Sequence, residues 1–317
     1  MSMSRHAFAP LLVVASLAAC ETRPRPESSP SYEAVSLLGD TLLAPRLPDS
    51  LRDAREHQLA EAQIAYARDS SADALVWVGR RTAYLGRYRD AVDAFSAGIA
   101  RFPEDARVYR HRGHRYITLR RLDLAVQDLE RAALLIAGRP DEVEPDGLPN
   151  ARNTPTSTLQ SNIWYHLGLA YYLEGDFANA LRAYQECLEV SKNPDMLVAT
   201  SNWLYLTLRR LNRTAEAARA LAPIGRDLDI IENGSYHRLV LMYQGEVPPD
   251  SVLRWSAAGE PSLEDVTTAY GVGAWHLLNG RPADAERIFR AVVGARGQWA
   301  AFGYLAAEAE LARGAAP

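Results

Sequence analysis

The sequence contains few of the residues that mark several specialised classes of protein. It has 2 cysteines in 317 residues, which excludes a disulfide-dense scaffold. Its 20 glycines and 18 prolines are too few for a fibrous or low-complexity protein. Lys192 is the only lysine, and the formal net charge is −4, so no overall basic field favours nucleic acid as a partner. The remaining composition, 48% hydrophobic and 23% charged, is typical of a globular chain.

Familiar catalytic motifs are also missing. The sequence has no phosphate-binding G-x-x-x-x-G-K-[ST], no dinucleotide-binding G-x-G-x-x-G, no G-x-S-x-G, no H-E-x-x-H and no C-x-x-C. Cys187 lies on the apolar face of a predicted helix, where a small packing residue is a better interpretation than a nucleophile. We therefore predict no cofactor and no catalytic residue.

The first twenty residues look like a targeting signal. A single arginine, Arg5, precedes an apolar run from Ala7 to Ala19, which is too short to span a membrane comfortably. The run ends in Leu17-Ala18-Ala19-Cys20, which resembles a bacterial lipobox; an ordinary signal peptide that contains a cysteine is the alternative. The resemblance implies a signal peptide over 1–19 and two acyl chains on the sulfur of Cys20, enough for stable anchoring.

Residues 20–35 are expected to form the lipidated cysteine and a flexible tether. The segment 21–32 is rich in proline, serine and charge, and such segments bury too little apolar surface to fold. The residue after Cys20 is Glu21 rather than aspartate, and by resemblance this implies an outer-membrane protein that faces the periplasm.

A period of 34 residues follows. Aligning 72–105 with 106–139 places Gly79 over Gly113 and Ala91 over Ala125. The helix–turn–helix pattern of 85–91 recurs around Gly175 and around Gly280, and more weakly at 211–217. These features resemble the tetratricopeptide repeat (TPR) family, in which small residues allow the two helices of each unit to approach closely. The fold predicted is all-α, a right-handed superhelical solenoid of TPR-like helix pairs that cover one another's apolar faces.

The predicted organisation follows from this period. Residues 36–71 should form N-terminal covering helices, 72–139 the first two units, and 297–317 a C-terminal covering helix. Units three to six should span 161–296, with the fourth and fifth degenerate. We expect no β-strand of any length.

An insertion of 21 residues separates the second and third units. Gly113 and Gly168 are 55 residues apart instead of 34, and the extra residues lie within 138–160. The segment contains four prolines and four acidic residues. Long loops of this kind are usually functional or disordered. Two interpretations stay open: residues 140–160 form a lid over the neighbouring groove, or they form a solvated excursion.

The TPR resemblance implies that the first helix of each pair lines a concave face. The repeat positions that point inward carry arginine, histidine and aromatic residues, with few aliphatic ones. The predicted ligand-binding residues are Trp77, Arg80, Tyr84, Arg107, Arg110, His111, His114, Asn162, Tyr165, His166, Tyr172, Asn202 and Trp203.

The histidines of this face allow three interpretations. His111 and His114 are three residues apart on one helix, and His166 occupies the repeat position of His111 one unit later, which could form a metal site. Nearby arginines oppose a cation, so we predict no metal there. Histidines bonded within the groove wall are the second interpretation. Recognition of an anion by arginine forks and aromatic walls is the third.

These observations favour a noncatalytic, membrane-anchored scaffold that binds a protein or peptide segment in the concave groove. Some TPR cochaperones grip a C-terminal carboxylate with lysine and asparagine at these positions, whereas this chain has arginine and histidine; the resemblance therefore implies a groove and not a particular ligand. The alternative is an enzyme or small-anion receptor that uses the Arg/His/Tyr cluster beneath the 140–160 lid.

Overall fold

A computed structural model describes residues 31–253, 255 and 260–314. The predicted signal peptide and Cys20 lie outside the described residues. Among those described, no helix has the length and hydropathy that crossing a bilayer requires.

Helices dominate the described residues, and most of them pack in consecutive pairs. The prediction of an all-α solenoid is confirmed. The helices are α1 (Asp49–Arg68), α2 (Ala72–Tyr84), α3 (Tyr88–Arg101), α4 (Ala106–Thr118), α5 (Leu122–Ile136), α6 (Leu159–Glu174), α7 (Phe177–Val190), α8 (Pro194–Arg210), α9 (Thr214–Leu221), α10 (Gly234–Tyr243), α11 (Pro249–Val252), α12 (Leu263–Leu278), α13 (Pro282–Gly294) and α14 (Phe302–Ala312).

Small residues hold the paired helices close together, as their recurrence predicted. A Cβ atom added to Gly79 of α2 would lie 2.4 Å from the ring of Phe95 on α3. A Cβ at Gly168 of α6 would lie 2.7 Å from the ring of Tyr184 on α7. Both distances are too short for any real contact, so glycine is what permits these aromatic rings to sit against the partner backbone.

The N-terminal region differs from its prediction. Residues 32–43 form a β-hairpin of β1 (Tyr32–Val35) and β2 (Thr41–Leu43), followed by one covering helix, α1. The expected absence of strands was wrong, as was a run of helices from residue 36. The strands are too short to show a sequence pattern, and long-range contacts hold them: Glu33 accepts a hydrogen bond from the backbone N–H of Arg89 at the start of α3 (3.0 Å).

The fifth unit is the most irregular part of the solenoid. Its first helix, α10, is followed by α11, a single turn that begins at Pro249. Proline is tolerated at the first helical position because the N–H it lacks would have no partner within the helix.

The C-terminal helix α14 is buried along most of its length. Residues 303–310 of α14 are all buried, and α14 packs against α6, α12 and α13. Glu308 forms a buried ion pair with Arg120, two residues after the end of α4 (2.6 Å), and accepts a hydrogen bond from the backbone N–H of Leu37 in the hairpin. The hairpin and α14 therefore meet beside the turn that follows α4.

Candidate functional site

The structure divides the predicted ligand-binding residues by accessibility. The partly exposed ones are Trp77, Arg80, Tyr84, Arg107 and His114, and the buried ones are Arg110, His111, Asn162, Tyr165, His166, Tyr172, Asn202 and Trp203. The expectation of an open groove lined by all thirteen was therefore wrong. The physical reason is that α14 and the inserted segment pack onto the face that the first helices present.

Tyr172, Asn202 and Trp203 belong to the core. Trp203 is 1% exposed, and its ring packs edge-on against Tyr172 at a centroid distance of 5.2 Å. The indole N–H of Trp203 donates to the hydroxyl of Tyr165 (2.8 Å), and that hydroxyl donates to Tyr236 (3.2 Å). These side chains stabilise the packing of α6, α8 and α10, and they lie out of reach of a ligand.

Arg107 lies at the edge of the concave face. Its guanidinium pairs with Asp105 (2.7 Å), the residue that caps α4, and with Asp73 on α2 (3.3 Å). The guanidinium of Arg107 is therefore already paired with two carboxylates, and it links α2 to the start of α4. Arg107 does not belong to the group of arginines beneath the inserted segment.

Three arginines meet beneath the inserted segment, where α2 packs beside α4. Arg80 stacks on the ring of Trp77 (4.4 Å), and its Nε donates to the hydroxyl of Tyr84 (3.4 Å). Arg115 lies over the ring of Tyr88 (5.4 Å). Neither Arg80 nor Arg115 forms an ion pair with any of the residues that the structure describes. We call Arg80, Arg110 and Arg115, with the ring of Tyr84, the cation cluster.

Arg115 was missed by the sequence interpretation, although it lies four residues after His111 and so shares a helix face with it. Burial lowers the pKa of Arg115 to about 10, with Arg110 and Arg80 adding repulsion and the rings of Tyr88 and Tyr84 opposing the shift. Burial also lowers the pKa of Arg110, whose buried Nε has no hydrogen-bond partner. The cluster thus carries more positive charge than its surroundings neutralise.

Among the residues that the structure describes, the carboxylate that forms an ion pair with the cluster is that of Glu144, which belongs to the insertion. Glu144 lies 3.2 Å from a terminal nitrogen of Arg110 and 3.5 Å from Nε2 of His111, and it accepts a hydrogen bond from the Asn162 amide (3.1 Å). Because Arg110 can only donate, Nδ1 of His111 must accept its 2.9 Å hydrogen bond. The proton of neutral His111 is then on Nε2, which faces Glu144.

The three histidines are neutral packing groups in this arrangement. Burial lowers the pKa of His111, His114 and His166 well below the usual range, and the neighbouring arginines lower it further. The rings of His114 and His166 pack at a centroid distance of 4.2 Å, and Phe302 of the C-terminal segment packs against both. Within the described ranges, no group of three or more His, Cys, Asp or Glu side chains could hold a metal ion.

The inserted segment is ordered over the cation cluster, and we call its residues 139–158 the strap. Its two ends lie together, since Val143 pairs with Thr158 and the N–H of Glu144 donates to the carbonyl of Ser157 (3.2 Å). At its tip, the carbonyl of Gly147 accepts a hydrogen bond from Arg81 of α2 (2.9 Å). The sequence left two interpretations of this segment open, a lid over the neighbouring groove and a solvated excursion. The observed placement corresponds to the lid.

A second set of contacts ties the strap to residues 229–232, ahead of α10. Arg152 forms a bidentate ion pair with Asp229 (2.6 and 2.8 Å). Asn150 and Thr156 donate to the carboxylate of Glu232 (2.8 and 2.7 Å). These polar contacts, which we call the latch, involve none of the residues of the cation cluster.

Cys187 does not contribute a reactive thiol. It is buried, its Sγ lies 3.2 Å from the hydroxyl of Thr200, and burial raises the pKa of the thiol to about 11. The thiolate that nucleophilic chemistry requires is therefore disfavoured at neutral pH.

Comparisons with known proteins match one helix pair of the chain to a repeat family. Residues 161–194, which cover most of α6 and all of α7, match the family model described as the tetratricopeptide repeat. A search of curated proteins finds no match. Among solved structures, the chain is similar to YrrB, described as a TPR protein with an unusual peptide-binding site, at 12% identity over 74% of this chain and 91% of that one, with a TM-score of 0.42. It is also similar to a tetratricopeptide repeat protein from Parabacteroides merdae, at 13% identity over 78% of this chain and 92% of that one, with a TM-score of 0.45.

Proposed function

Since the chain contains a tetratricopeptide repeat within a solenoid of similar helix pairs, we propose that it is a noncatalytic scaffold that binds a protein segment on its concave face. The binding surface is the N-terminal half of that face, where Trp77, Arg80 and Tyr84 are partly exposed. One observation carries this assignment: three arginines converge there, and Glu144, the carboxylate that forms an ion pair with Arg110, belongs to a loop.

The aromatic and arginine content of this surface suits protein recognition. Aromatic and arginine side chains provide much of the binding energy at protein interfaces, because they combine large contact area with directed hydrogen bonds. The stacking of Arg80 on Trp77 holds the guanidinium in place before a partner arrives.

Photo-crosslinking tests this surface directly. We replace Trp77 with the photoreactive aromatic p-benzoylphenylalanine in the full chain and irradiate living cells. We expect an adduct with a discrete protein, which weakens when Arg80 is also changed to Ala. The matched control carries the photoreactive residue at Arg287, which is exposed on α13. No adduct at position 77, or the same adduct at position 287, would contradict the proposal.

The scaffold is proposed to be anchored to the membrane through lipid on Cys20. The lipobox-like end of the apolar run supports this, and the tether that follows it would hold the solenoid away from the bilayer. Metabolic labelling with a palmitate analogue should mark the protein and leave Cys20→Ser unlabelled. Equal labelling of both would rule out this anchor.

A further inference from the structure

We propose that the strap is an intramolecular copy of the partner: the cation cluster binds an acidic, extended peptide segment, and Glu144 occupies the position of the partner's carboxylate until the latch opens. This inference rests on the proposed function, and it names the chemistry of the partner and the control of the site.

The contacts of the strap are those that a bound peptide would make. Glu144 supplies a carboxylate to Arg110 and to the Asn162 amide, and the backbone carbonyl of Gly147 accepts from Arg81. A Cβ atom at Gly147 would lie 1.8 Å from the hydroxyl oxygen of Tyr84, so the strap backbone rests directly on that side chain. Since both a side chain and the main chain are recognised, the ligand is a peptide rather than a free anion.

A second acidic residue, Asp146, follows Glu144 in the strap. Burial and the nearby Glu232 raise the pKa of Asp146, and the charge of Arg80 partly opposes that shift. With Glu144 and Asp146 two residues apart, the strap presents alternate acidic side chains along an extended segment. The partner segment should therefore carry acidic residues at the same spacing.

Little apolar surface holds the strap closed. Val143 is 63% exposed and Leu148 is 54% exposed, so its larger hydrophobic side chains face solvent. The latch is polar, and the Arg152 and Asp229 side chains that form its ion pair are themselves largely exposed. Segments with few buried apolar contacts open at low free-energy cost. A competing ligand can therefore displace the strap without unfolding the helices beneath it.

The effect of the closed strap on affinity follows from competition. A ligand binds only the molecules in which the strap is open, so its apparent affinity is reduced by the open fraction. Weakening the latch raises that fraction and leaves every residue of the cation cluster unchanged. The latch and the cluster can thus be varied separately.

The test uses a fluorescent synthetic peptide of residues 139–150 and measures its anisotropy with the full chain. We expect Arg152→Ala, which removes an exposed ion pair of the latch, to bind this peptide up to ~5-fold more tightly than the unaltered chain. Glu144→Gln, which removes the strap's own carboxylate from Arg110, should bind it at least ~10-fold more tightly. Arg290→Ala, which breaks the exposed ion pair with Glu286 on α13, is the matched control and should leave the affinity unchanged.

Two further arms identify the ligand. A peptide with Gln in place of the glutamate at position 144 should bind the Arg152→Ala chain at least ~10-fold more weakly, and millimolar free glutamate should not compete. Equal affinity of both peptides, or competition by free glutamate, would overturn the peptide–carboxylate assignment.

Hydrogen–deuterium exchange separates this inference from the proposed function. If Arg152→Ala speeds exchange in 141–158 but leaves peptide affinity unchanged, the strap is not a competitor and this inference fails. The crosslinking result at Trp77 does not depend on that outcome.

Discussion

Single residues decide how closely the helices of each pair approach. The glycines at 79, 113 and 168 were recognisable in the sequence because they recur at a fixed place in the repeat, and each faces a large side chain of the partner helix. The burial of the predicted site residues was not recognisable. Repeat position gave the face on which Arg110 and His166 lie, but it could not show that Glu144 and Phe302, distant in sequence, cover that face.

A test at this scale concerns Gly168. We expect Gly168→Ala to lower the free energy of unfolding by about 1–3 kcal/mol, since the added methyl group overlaps the buried ring of Tyr184. Urea denaturation measures the change. Gly225→Ala is the control, because a Cβ there meets no atom within 4 Å; similar losses in the two variants would contradict the close-packing account.

The buried histidines predict a pH dependence. Burial lowers the pKa of His166, with Arg110 and Arg115 adding repulsion, so the unfolded chain binds protons more readily than the folded one. The contribution to stability is full above the unfolded value of about 6.5 and is lost as the pH falls below it. At pH 5.5 we expect a loss of about 1 kcal/mol from this histidine.

Denaturation at pH 7.5 and pH 5.5 compares the chain with His166→Gln. The variant should lose less stability on acidification than the unaltered chain. His57→Gln, in an exposed side chain of α1, should lose as much as the unaltered chain. An identical loss in His166→Gln would show that His166 does not remain neutral in the folded state.

At the scale of elements, local sequence patterns predicted the paired helices. Long-range contacts determine the hairpin and the position of α14. The turn and pairing signals of units one to three appear directly in α2 to α7. The hairpin and the inward position of α14 depend on contacts such as that between Leu37 and Glu308, which are 271 residues apart. Their residues carry no periodic signal, because the partner that stabilises them is absent from the local sequence.

The ion pair between Arg120 and Glu308 is the strongest candidate for fixing α14. Both side chains are almost fully buried. We expect Glu308→Gln to destabilise the fold by about 3–5 kcal/mol, since removing one charge leaves the other buried without its partner. Chemical denaturation measures this loss.

The control for that change is Glu104→Gln, which removes an exposed ion pair with Arg131. Exposed pairs contribute at most about 1 kcal/mol, so this variant should remain close to the unaltered chain. If Glu308→Gln were equally mild, this ion pair would not be what fixes α14, which also pairs with Arg210 through Glu310.

At the scale of the whole molecule, the solenoid is closed by its own chain. The C-terminal segment packs on one part of the concave face, and the strap covers another. Recognition of an anion was one of the three interpretations that the composition of that face left open. The structure adds that a carboxylate of the same chain lies there.

The central claim is that an acidic segment and the strap compete for the cation cluster. Hydrogen–deuterium exchange of the unaltered full chain tests this most directly, with the peptide of residues 139–150 added in isotopically labelled form so that its mass is distinct. Saturating peptide should speed exchange in the chain's own 141–158 and leave α12 and α13 unchanged. Unaltered exchange in 141–158 at saturation would contradict the claim.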